Sequence, residues 1–521
     1  MPPKSAVQPG SIHVSPAGSH PLSVPSPEAM ASRELSAGWQ SVASRLVGLL
    51  FLLVVVEALF AVPKLTWDLA VAGHPLFGTL FGLLIAAAAT GLLWVSRHRL
   101  AASLQAMGAR LAAVPRRRWL VLVIAVGIVL RLAWALLFPS EPVSDGLAYY
   151  DLADRLVQGL TYQTPKGEWA GWPPGYPFLL LPFFQLLGVG LLAVTVVNLL
   201  LYVGTILTVF SLALRLGGEA TARFSTLLLA LWPNLIASAG VPNKEGVVVF
   251  LLPAALLLYL VAGSFRSPGL RLAGRLATGL ILGYAMLTQP AVMLVVWAFP
   301  IWELLLRVPL MRIAGRFALL LLGMAVVVLP WSFRNERVLG QFVLVSTNGG
   351  SVFYRANNPL ATGGWIQHGE RKLDGYDELT QDRLGYQWGK EWIRENPGEF
   401  LKLGVKKQIL FLGDDAMGIY DGLKRGLGIG GPVYAAAKLL ANAYWWGIWA
   451  LVLLALLVRP GWSRHPLVLL FVLVVLYFWS IDSVFESGAR HHLPLVGLLA
   501  ILAGWGAAGE PATQPRASAL G

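Results

Sequence analysis

Asp145 stands where a carboxylate could do chemistry, because it follows an apolar stretch by only a few residues. A carboxylate at the boundary between membrane and water has a pKa that depends on its surroundings, and it can act as a general base on a hydroxyl group. Asp is also a frequent helix N-cap residue, and Ser144 could cap the same helix. The sequence therefore predicts either a catalytic base or a helix cap at position 145.

A short loop at 242–246 carries two adjacent charged residues, Lys244 and Glu245. Apolar stretches flank this loop closely, so both charges must lie near the membrane surface. A lysine ammonium can bind a phosphate as a point charge, and a glutamate can act as a second carboxylate or as a metal ligand. The alternative is a pair of solvated loop charges whose side chains reach out of the membrane.

Arg490 and His491 precede the last apolar stretch of the chain. A guanidinium is suited to bidentate phosphate binding and can offset the charge on a departing phosphate, whereas the alternative is an ordinary interface anchor. Arg334, at the end of an earlier apolar stretch, is a weaker candidate for the same role. The predicted phosphate ligands are therefore Lys244, Arg490, Arg334 and His491.

The remaining acidic residues do not predict a defined metal site. Asp414 and Asp415 form an acidic pair that could meet a metal or an acceptor, although such a pair is also typical of a solvated turn. His368 near Glu370 is equally ambiguous, and the chain has no cysteine. The sequence thus leaves a divalent metal cofactor open.

The composition predicts that these residues belong to an integral membrane protein. Of the 521 residues, 56% are hydrophobic and only 13% are charged, about half the charged fraction of a soluble domain. This excludes a cytosolic enzyme and a disordered scaffold. The 40 Lys and Arg residues exceed the 27 Asp and Glu residues, but the basic residues fall in short loops, as in membrane proteins. We therefore expect no nucleic acid partner.

Apolar stretches predict an all-α polytopic membrane protein of about twelve transmembrane helices. They lie at 46–62, 76–95, 119–138, 190–212, 224–241, 247–263, 277–289, 291–306, 317–333, 442–458, 466–481 and 492–508. The stretch 178–189 predicts a further short re-entrant or interfacial helix. Pro290 either separates two spans or kinks a single helix.

The distribution of arginine predicts which loops face the cytoplasm. Every second loop is rich in arginine, which is typical of cytoplasmic loops. The opposite side receives the segments 139–189, 242–246, 334–441 and 482–491. The sequence therefore predicts that both termini are cytoplasmic and that an active site faces outward.

The first outer loop carries several motifs in a characteristic order. They are Asp145, Tyr149-Tyr150, an amphipathic helix with Leu147, Leu152, Leu156 and Leu160, and Trp172-Pro173-Pro174-Gly175-Tyr176. This order resembles the GT-C glycosyltransferases, and among them most closely the dolichyl-phosphate-mannose-protein mannosyltransferase-like (glycosyltransferase-39 and Rgt-like) group. The segments 346–350, 357–364 and 490–494 add to the likeness, which covers roughly 119–508.

The resemblance implies an enzyme that moves a sugar from a polyprenyl-phosphate donor to a glycan, lipid or protein acceptor on the periplasmic face of a bacterial inner membrane. It assigns the catalytic carboxylate of the family to Asp145, with Glu245 as a second catalytic candidate. It also places Tyr149, Trp172 and Tyr176 in a substrate loop.

Two positions depart from the pattern of the family. Members commonly carry Asp-Glu in the first loop, but here Gly146 follows Asp145. Relatives often have Arg before the proline at 290, but this chain has Gln289, which cannot bind phosphate as a cation. The roles of the missing acid and the missing arginine must be filled differently in this chain.

We predict six regions from the spans and the resemblance. They are a disordered cytoplasmic tail (1–45), two extra transmembrane helices with a basic loop (46–118), a GT-C core with the first periplasmic loop at 139–189 (119–333), a small periplasmic domain of α/β or mixed structure (334–441), C-terminal transmembrane helices (442–508) and a cytoplasmic tail (509–521).

Two other functions compete with the glycosyltransferase hypothesis. A polymerase or ligase for lipid-linked polysaccharides would also have many spans and outer-loop arginines, but it would not need Asp145 so close to an early span. A transporter or flippase predicts charged or Gly/Pro-broken segments at mid-membrane in two matching halves. Here the ionisable residues cluster at the predicted outer boundary, with Glu57 as an exception, and the sequence shows no internal repeat.

Overall fold

The computed structural model describes residues 38–70 and 75–508, which form helices and turns and contain no strand. The first nine helices are α1 (Trp39–Ala70), α2 (Pro75–Ala113), α3 (Arg116–Leu137), α4 (Ser144–Val157), α5 (Gly175–Leu187), α6 (Leu191–Ala230), α7 (Pro233–Ala237), α8 (Lys244–Ser264) and α9 (Pro268–Thr288). The next nine are α10 (Ala298–Leu305), α11 (Leu310–Leu339), α12 (Gly349–Ala356), α13 (Glu378–Glu395), α14 (Pro397–Gly413), α15 (Met417–Ile419), α16 (Gly431–Val458), α17 (Pro466–Asp482) and α18 (Val496–Ala507).

Among the described helices, eight are long and apolar enough to cross a membrane: α1, α2, α3, α6, α8, α9, α11 and α16. Shorter apolar helical segments lie at Gly175–Leu187, Pro290–Leu305, Pro466–Asp482 and Leu493–Ala507. A helix needs about 20 residues to cross the hydrocarbon core. The predicted all-α polytopic architecture is confirmed. Nine of the twelve predicted spans overlap the eight long helices, because α6 overlaps two of them, and the other three overlap shorter apolar segments.

The predicted spans 190–212 and 224–241 correspond to two helical segments, which the range of α6 joins across a break. Gly217 and Gly218 interrupt α6 with non-helical backbone angles, and Gly218 has a φ of 77°, which glycine adopts without strain. Helix α6 ends at Ala230, and Pro233 opens the five-residue α7. Helical structure continues to Gly240, and the Asn198 side chain near the start of α6 donates to the carbonyl oxygens of Ser238 and Ala239. The chain therefore turns back at Gly217 and Gly218, and the second predicted span corresponds to the helical segments that follow this turn.

Pro290 separates two helical segments and does not kink one continuous helix. Helix α9 ends at Thr288, and Gln289 has the extended backbone angles of −141° and 101°. A 3₁₀ segment, Pro290–Trp297, then leads into α10. A residue before proline is pushed out of the helical region, which accounts for the break.

Three sequence-based expectations need correction, two of them about where a helix begins or ends and one about the structure of the segment 334–441. Helix α1 begins at Trp39, inside the predicted disordered tail, while 1–37 and 509–521 lie outside the described residues. The described segment 334–441 contains helices and turns but no strand, so it is not of α/β structure. The amphipathic helix of the first outer loop ends at Val157, so Leu160 lies beyond it.

Four connecting segments meet at one end of the helix bundle. They are the start of α4, the turns between α7 and α8, the segment from Asp415 to Gly426, and the segment between α17 and α18. Buried tryptophans pack near these segments: Trp232 lies between α6 and α7, and Trp445 and Trp449 lie on α16. The bundle therefore brings together residues that are several hundred positions apart in the sequence.

Candidate functional site

A central pocket at this end of the bundle is lined by residues that include Asp145, Lys244, Glu245, Asp421 and Arg490. Asp145 and Arg490 form its shortest ion pair. The Arg490 guanidinium donates to an Asp145 carboxylate oxygen at 2.6 Å, and the Arg490 Nε lies 3.9 Å from Glu245 Oε1. Only about a quarter of each side chain of the Asp145–Arg490 pair is exposed. Two sequence candidates that are 345 positions apart (490 minus 145) thus lie in direct contact.

The pKa of Asp145 reflects a competition between burial and positive charge. Burial by itself would raise this pKa, but Arg490 and Lys244 outweigh burial and hold it below the usual value of an aspartate. Burial likewise opposes the charge of Arg490, while Asp145 and Glu245 raise its pKa overall. At neutral pH the pocket therefore contains an ionised Asp145 beside a fully charged Arg490.

The N-cap hypothesis for Asp145 was wrong. Helix α4 begins at Ser144 with Val143 as its cap residue, and no side chain caps it. Ser144 has a positive φ of 53°, an unusual value for a residue other than glycine. Such strain costs about 1–3 kcal/mol and tends to occur at functional sites. Here it accompanies the turn that directs Asp145 toward Arg490.

Gly146, where the resemblance to the GT-C family led us to expect an acid, packs closely against the turn before α8. A Cβ atom at this position would lie 2.8 Å from the Pro242 carbonyl oxygen. No side chain fits there without a shift of the backbone. The absence of a second acid at position 146 therefore has a packing reason, and Glu245 brings a second carboxylate to the pocket from α8.

Asn243 fixes Lys244 and Glu245 at the start of α8. Its side-chain oxygen accepts hydrogen bonds from the backbone N–H groups of Glu245 and Gly246, at 2.9 Å and 3.3 Å. Glu245 is buried, with 7% of its surface exposed, so it is not a solvated loop charge. Lys244 lies with its ammonium 5.4 Å from the centre of the Tyr149 ring.

The three aromatic residues of the predicted substrate loop pack together next to the turn that precedes α8. The Tyr149 ring makes edge contacts with Trp172 and Tyr176, at centroid distances of 5.3 Å and 5.9 Å. The Tyr176 hydroxyl accepts a hydrogen bond from the Asn243 N–H at 3.0 Å. Tyr149 and Tyr176 are buried and Trp172 is half-buried. The cluster supports the turn that carries Lys244 and Glu245.

Asp421 is a pocket residue that the sequence reasoning missed. It lines the central pocket together with Asp145 and Arg490, and burial raises its pKa to about 6 even though Arg490 and Arg425 act against this. Its Oδ1 atom is buried and has no hydrogen-bond partner among the described residues. It lies in a π-helical turn, Tyr420–Gly426, and no motif or spacing in the sequence distinguishes it.

A second missed pair, Arg355 and Glu486, lies close to the pocket. The two side chains are 3.5 Å apart. Arg355 lowers the pKa of Asp145, and Glu486 raises that of Arg490. Arg355 is on α12 and Glu486 is in the segment after α17, so the outer helices contribute to the field at Asp145.

Two predicted phosphate ligands lie elsewhere. The Arg334 guanidinium donates to the carbonyl oxygens of Trp169 and Tyr162, at 2.6 Å and 2.5 Å, and thereby holds the first outer loop. His491 Nδ1 lies 2.6 Å from Asp482 Oδ1. Neither residue lines the central pocket.

A fully buried polar network around Asp415 lies next to the central pocket. Asp415 accepts hydrogen bonds from the Trp232 indole at 2.6 Å and from the Asn234 amide, and it lies 3.1 Å from His492 Nε2. The other ring nitrogen of His492 lies 2.8 Å from the Phe411 carbonyl oxygen. This hydrogen-bonded contact between Asp415 and His492 links the Asp421 segment to the Arg490 segment.

Asp415→Asn is expected to lower the free energy of unfolding by about 1–3 kcal/mol, because one of the two buried oxygens that accept hydrogen bonds from Trp232 and Asn234 is replaced by an amide NH₂ group. Thermal unfolding of the purified protein in nanodiscs measures this change. Asp374→Asn is the matched control, since the His368–Asp374 pair is largely exposed at 3.1 Å and is worth at most about 1 kcal/mol. Equal effects of the two substitutions would contradict a stabilising role for the buried network around Asp415.

The carboxylates of the pocket do not form a cation site in this arrangement. Among the described residues, no group of three or more His, Asp and Glu side chains is placed to hold a metal ion. The Arg490 guanidinium already lies between Asp145 and Glu245. A divalent metal, which the sequence left open, does not fit between these two carboxylates unless Arg490 moves.

No family model and no curated protein sequence matches the chain. Among solved structures, the chain is similar to the oligosaccharyltransferase AglB from Archaeoglobus fulgidus in complex with an inhibitory peptide and a dolichol-phosphate, with 12% sequence identity and a TM-score of 0.45 over 76% of this chain and 50% of that one. It is also similar to ArnT from Cupriavidus metallidurans bound to undecaprenyl phosphate, with 18% identity and a TM-score of 0.38 over 76% and 78% of the two chains. Both are GT-C glycosyltransferases. The chain spans about half the length of the archaeal structures.

Proposed function

We propose that this protein is a GT-C glycosyltransferase that moves a sugar from a polyprenyl-phosphate donor to an acceptor hydroxyl. The observation that carries the proposal is the Asp145–Arg490 pair at 2.6 Å, with Lys244 and Glu245 in the same pocket. Transfer from a lipid phosphate needs cations for the phosphate and a base for the hydroxyl. The central pocket offers both where long apolar helices end.

Arg490 and Lys244 bind the donor phosphate in this proposal. The guanidinium can hold two phosphate oxygens at once, and the Lys244 ammonium adds a point charge from the start of α8. The N-terminus of α8 favours an anion as well, because its backbone N–H groups carry partial positive charge. The prenyl chain then extends between the apolar helices.

Asp145 accepts the proton of the acceptor hydroxyl. The hydroxyl oxygen forms a bond to the anomeric carbon while the bond between that carbon and the phosphate oxygen breaks, with inversion at carbon. The electron pair stays on the polyprenyl phosphate, where Arg490 and Lys244 offset its charge. Glu245 is a second carboxylate beside Arg490, and Asp421, with a pKa of about 6, could exchange protons with solvent near neutrality.

The contact of Arg490 with Asp145 couples donor binding to the strength of the base. While Arg490 is bound to Asp145, the pKa of the carboxyl stays low and the carboxylate is a weak base. A phosphate that draws the guanidinium away leaves Asp145 buried beside a weaker positive field. Its pKa then rises, so the base is strengthened only when the donor is in place.

The orientation of the protein is part of the proposal. The arginine-rich loops of the sequence indicate the cytoplasmic side, and the pocket residues belong to the loops of the other side. The proposal therefore places the pocket on the outer face of a bacterial inner membrane, with both termini inside.

Sugar transfer by the reconstituted protein tests the proposal. Liposomes containing the protein receive polyprenyl-phosphate sugars, with nucleotide sugars as the control donors and a membrane extract as the acceptor source. We expect transfer from at least one lipid-phosphate donor and none from nucleotide sugars. Folded protein that uses only nucleotide sugars, or no donor at all, would contradict the proposal.

A further inference from the structure

A second cavity, the side cleft, lies next to the central pocket. It has a volume of about 690 Å³, within the range of small-molecule sites. Thr66 of α1, the segment from Asp414 to Lys424 and the first part of α16 line it. Met417 lines both cavities. The segment around Met417 is therefore the wall between the side cleft and the residues proposed for catalysis.

The charged groups of the side cleft favour an anion. Lys438 and Asp414 form an ion pair at 2.7 Å and balance each other. Lys424 is exposed, its ammonium lies 5.8 Å and 5.4 Å from the centres of the Tyr420 and Tyr434 rings, and no carboxylate pairs with it among the described residues. The cleft thus has one uncompensated positive charge.

Asp414 also presents an unused hydrogen-bond acceptor. Its Oδ2 accepts from Lys438, but its Oδ1 is buried with no hydrogen-bond partner in the described part of the chain. A buried acceptor left without a partner costs free energy. A hydroxyl group of a ligand in the cleft could supply the missing hydrogen bond.

The wall formed by α16 is apolar and exposed. Val433, Leu439 and Leu440 are each more than half exposed on a helix that is apolar enough to cross a membrane, and Leu439 itself lines the cleft. Exposed leucines on such a helix are suited to lipid chains. The cleft therefore combines a cationic, hydrogen-bonding end with a wall that faces hydrocarbon.

We propose that the side cleft binds the acceptor, and that this acceptor is a membrane amphiphile with an anionic, hydroxyl-bearing polar end. The inference rests on the proposed glycosyltransferase function. Lys424 holds the anionic group, Asp414 accepts a hydrogen bond from a hydroxyl, and the apolar part lies along α16. Met417 separates this site from the central pocket, so a further hydroxyl of the polar end reaches Asp145 when the Met417 side chain moves aside.

Photolabelling in nanodiscs tests the side cleft independently of catalysis. The probes are a photoreactive phosphatidylglycerol, which is anionic and carries hydroxyls, and a photoreactive diacylglycerol with the same chains but no charge. We expect the anionic probe to label peptides of 414–439 about tenfold more than the uncharged one, since a charge-assisted contact is worth about one order of magnitude in affinity. Lys424→Gln should remove most of this preference.

Two control variants separate the outcomes. Lys402→Gln changes an exposed lysine that pairs with Glu399 at 2.7 Å, and its labelling should match the wild type. Asp145→Asn should label normally, so a failure of the catalytic proposal is distinguishable from a failure of this one. Equal labelling by both probes, a preference that survives Lys424→Gln, or displacement of the label by excess polyprenyl phosphate would overturn the inference.

Discussion

Asp145→Asn is expected to reduce the rate of sugar transfer by about 10³-fold, within the range usual for removal of a general base. The substitution keeps the size of the side chain but removes the charge that accepts the proton. It also removes the 2.6 Å ion pair with Arg490, so the affinity for the donor should stay the same or increase. Initial rates at saturating donor, with binding measured separately, distinguish these two effects.

Asp154→Asn is the matched control for this experiment. Asp154 lies on the same helix, α4, but does not line the central pocket. We expect this variant to transfer sugar within about twofold of the wild type, because Asp154 is half-buried outside the pocket and substitutions away from buried networks change little. If Asp145→Asn retained wild-type activity, Asp145 would not be the base and Glu245 would become the leading carboxylate.

Arg490→Gln is expected to reduce kcat/KM for the donor by about 10²–10³-fold, the usual effect of removing one charge-stabilising donor from an active site. The glutamine fills similar space but can neither hold a phosphate as a cation nor offset its charge as it leaves. Arg371→Gln is the control, since Arg371 forms a largely exposed pair with Glu391 at 3.4 Å, away from the pocket. Comparable losses in both variants would contradict a role for Arg490 in donor binding.

The pH dependence of Arg490→Gln provides a second measurement. In the wild type, the positive field of Arg490 and Lys244 holds the pKa of Asp145 below its usual value despite burial. Without Arg490, burial remains and the pKa rises. The acidic limb of the pH profile of kcat/KM should therefore shift to higher pH, because the carboxyl protonates earlier as the pH falls. A profile that keeps its acidic limb in place would mean that Asp145 is not the group that titrates.

The same shift affects stability. A carboxyl whose pKa is lowered in the folded protein stabilises it above the unfolded pKa, and this contribution is lost as the pH falls through the folded pKa. Asp145 in the wild type is such a group. In Arg490→Gln this contribution should shrink, so the thermal midpoint of the variant should fall below that of the wild type most clearly at neutral pH.

The sequence by itself determined the class of the protein and its main candidates. Long apolar stretches leave a chain no stable alternative to helices in a membrane, because every backbone polar group must be bonded within its own segment. Asp145, Lys244, Glu245 and Arg490 could be singled out because each lies where an apolar stretch meets a polar loop. Position relative to the membrane is a local property, and local properties can be read from sequence.

Only the tertiary structure decided which of these residues meet. Asp421 approaches Arg490 because a buried network around Asp415 holds the Asp421 segment against α7 and His492, and no local pattern encodes that approach. Arg334 also stands where an apolar stretch meets a polar loop, yet its guanidinium is bonded to the carbonyl oxygens of Tyr162 and Trp169. Contacts between distant segments depend on how whole helices pack, so the sequence can propose members of a site, but helix packing selects them.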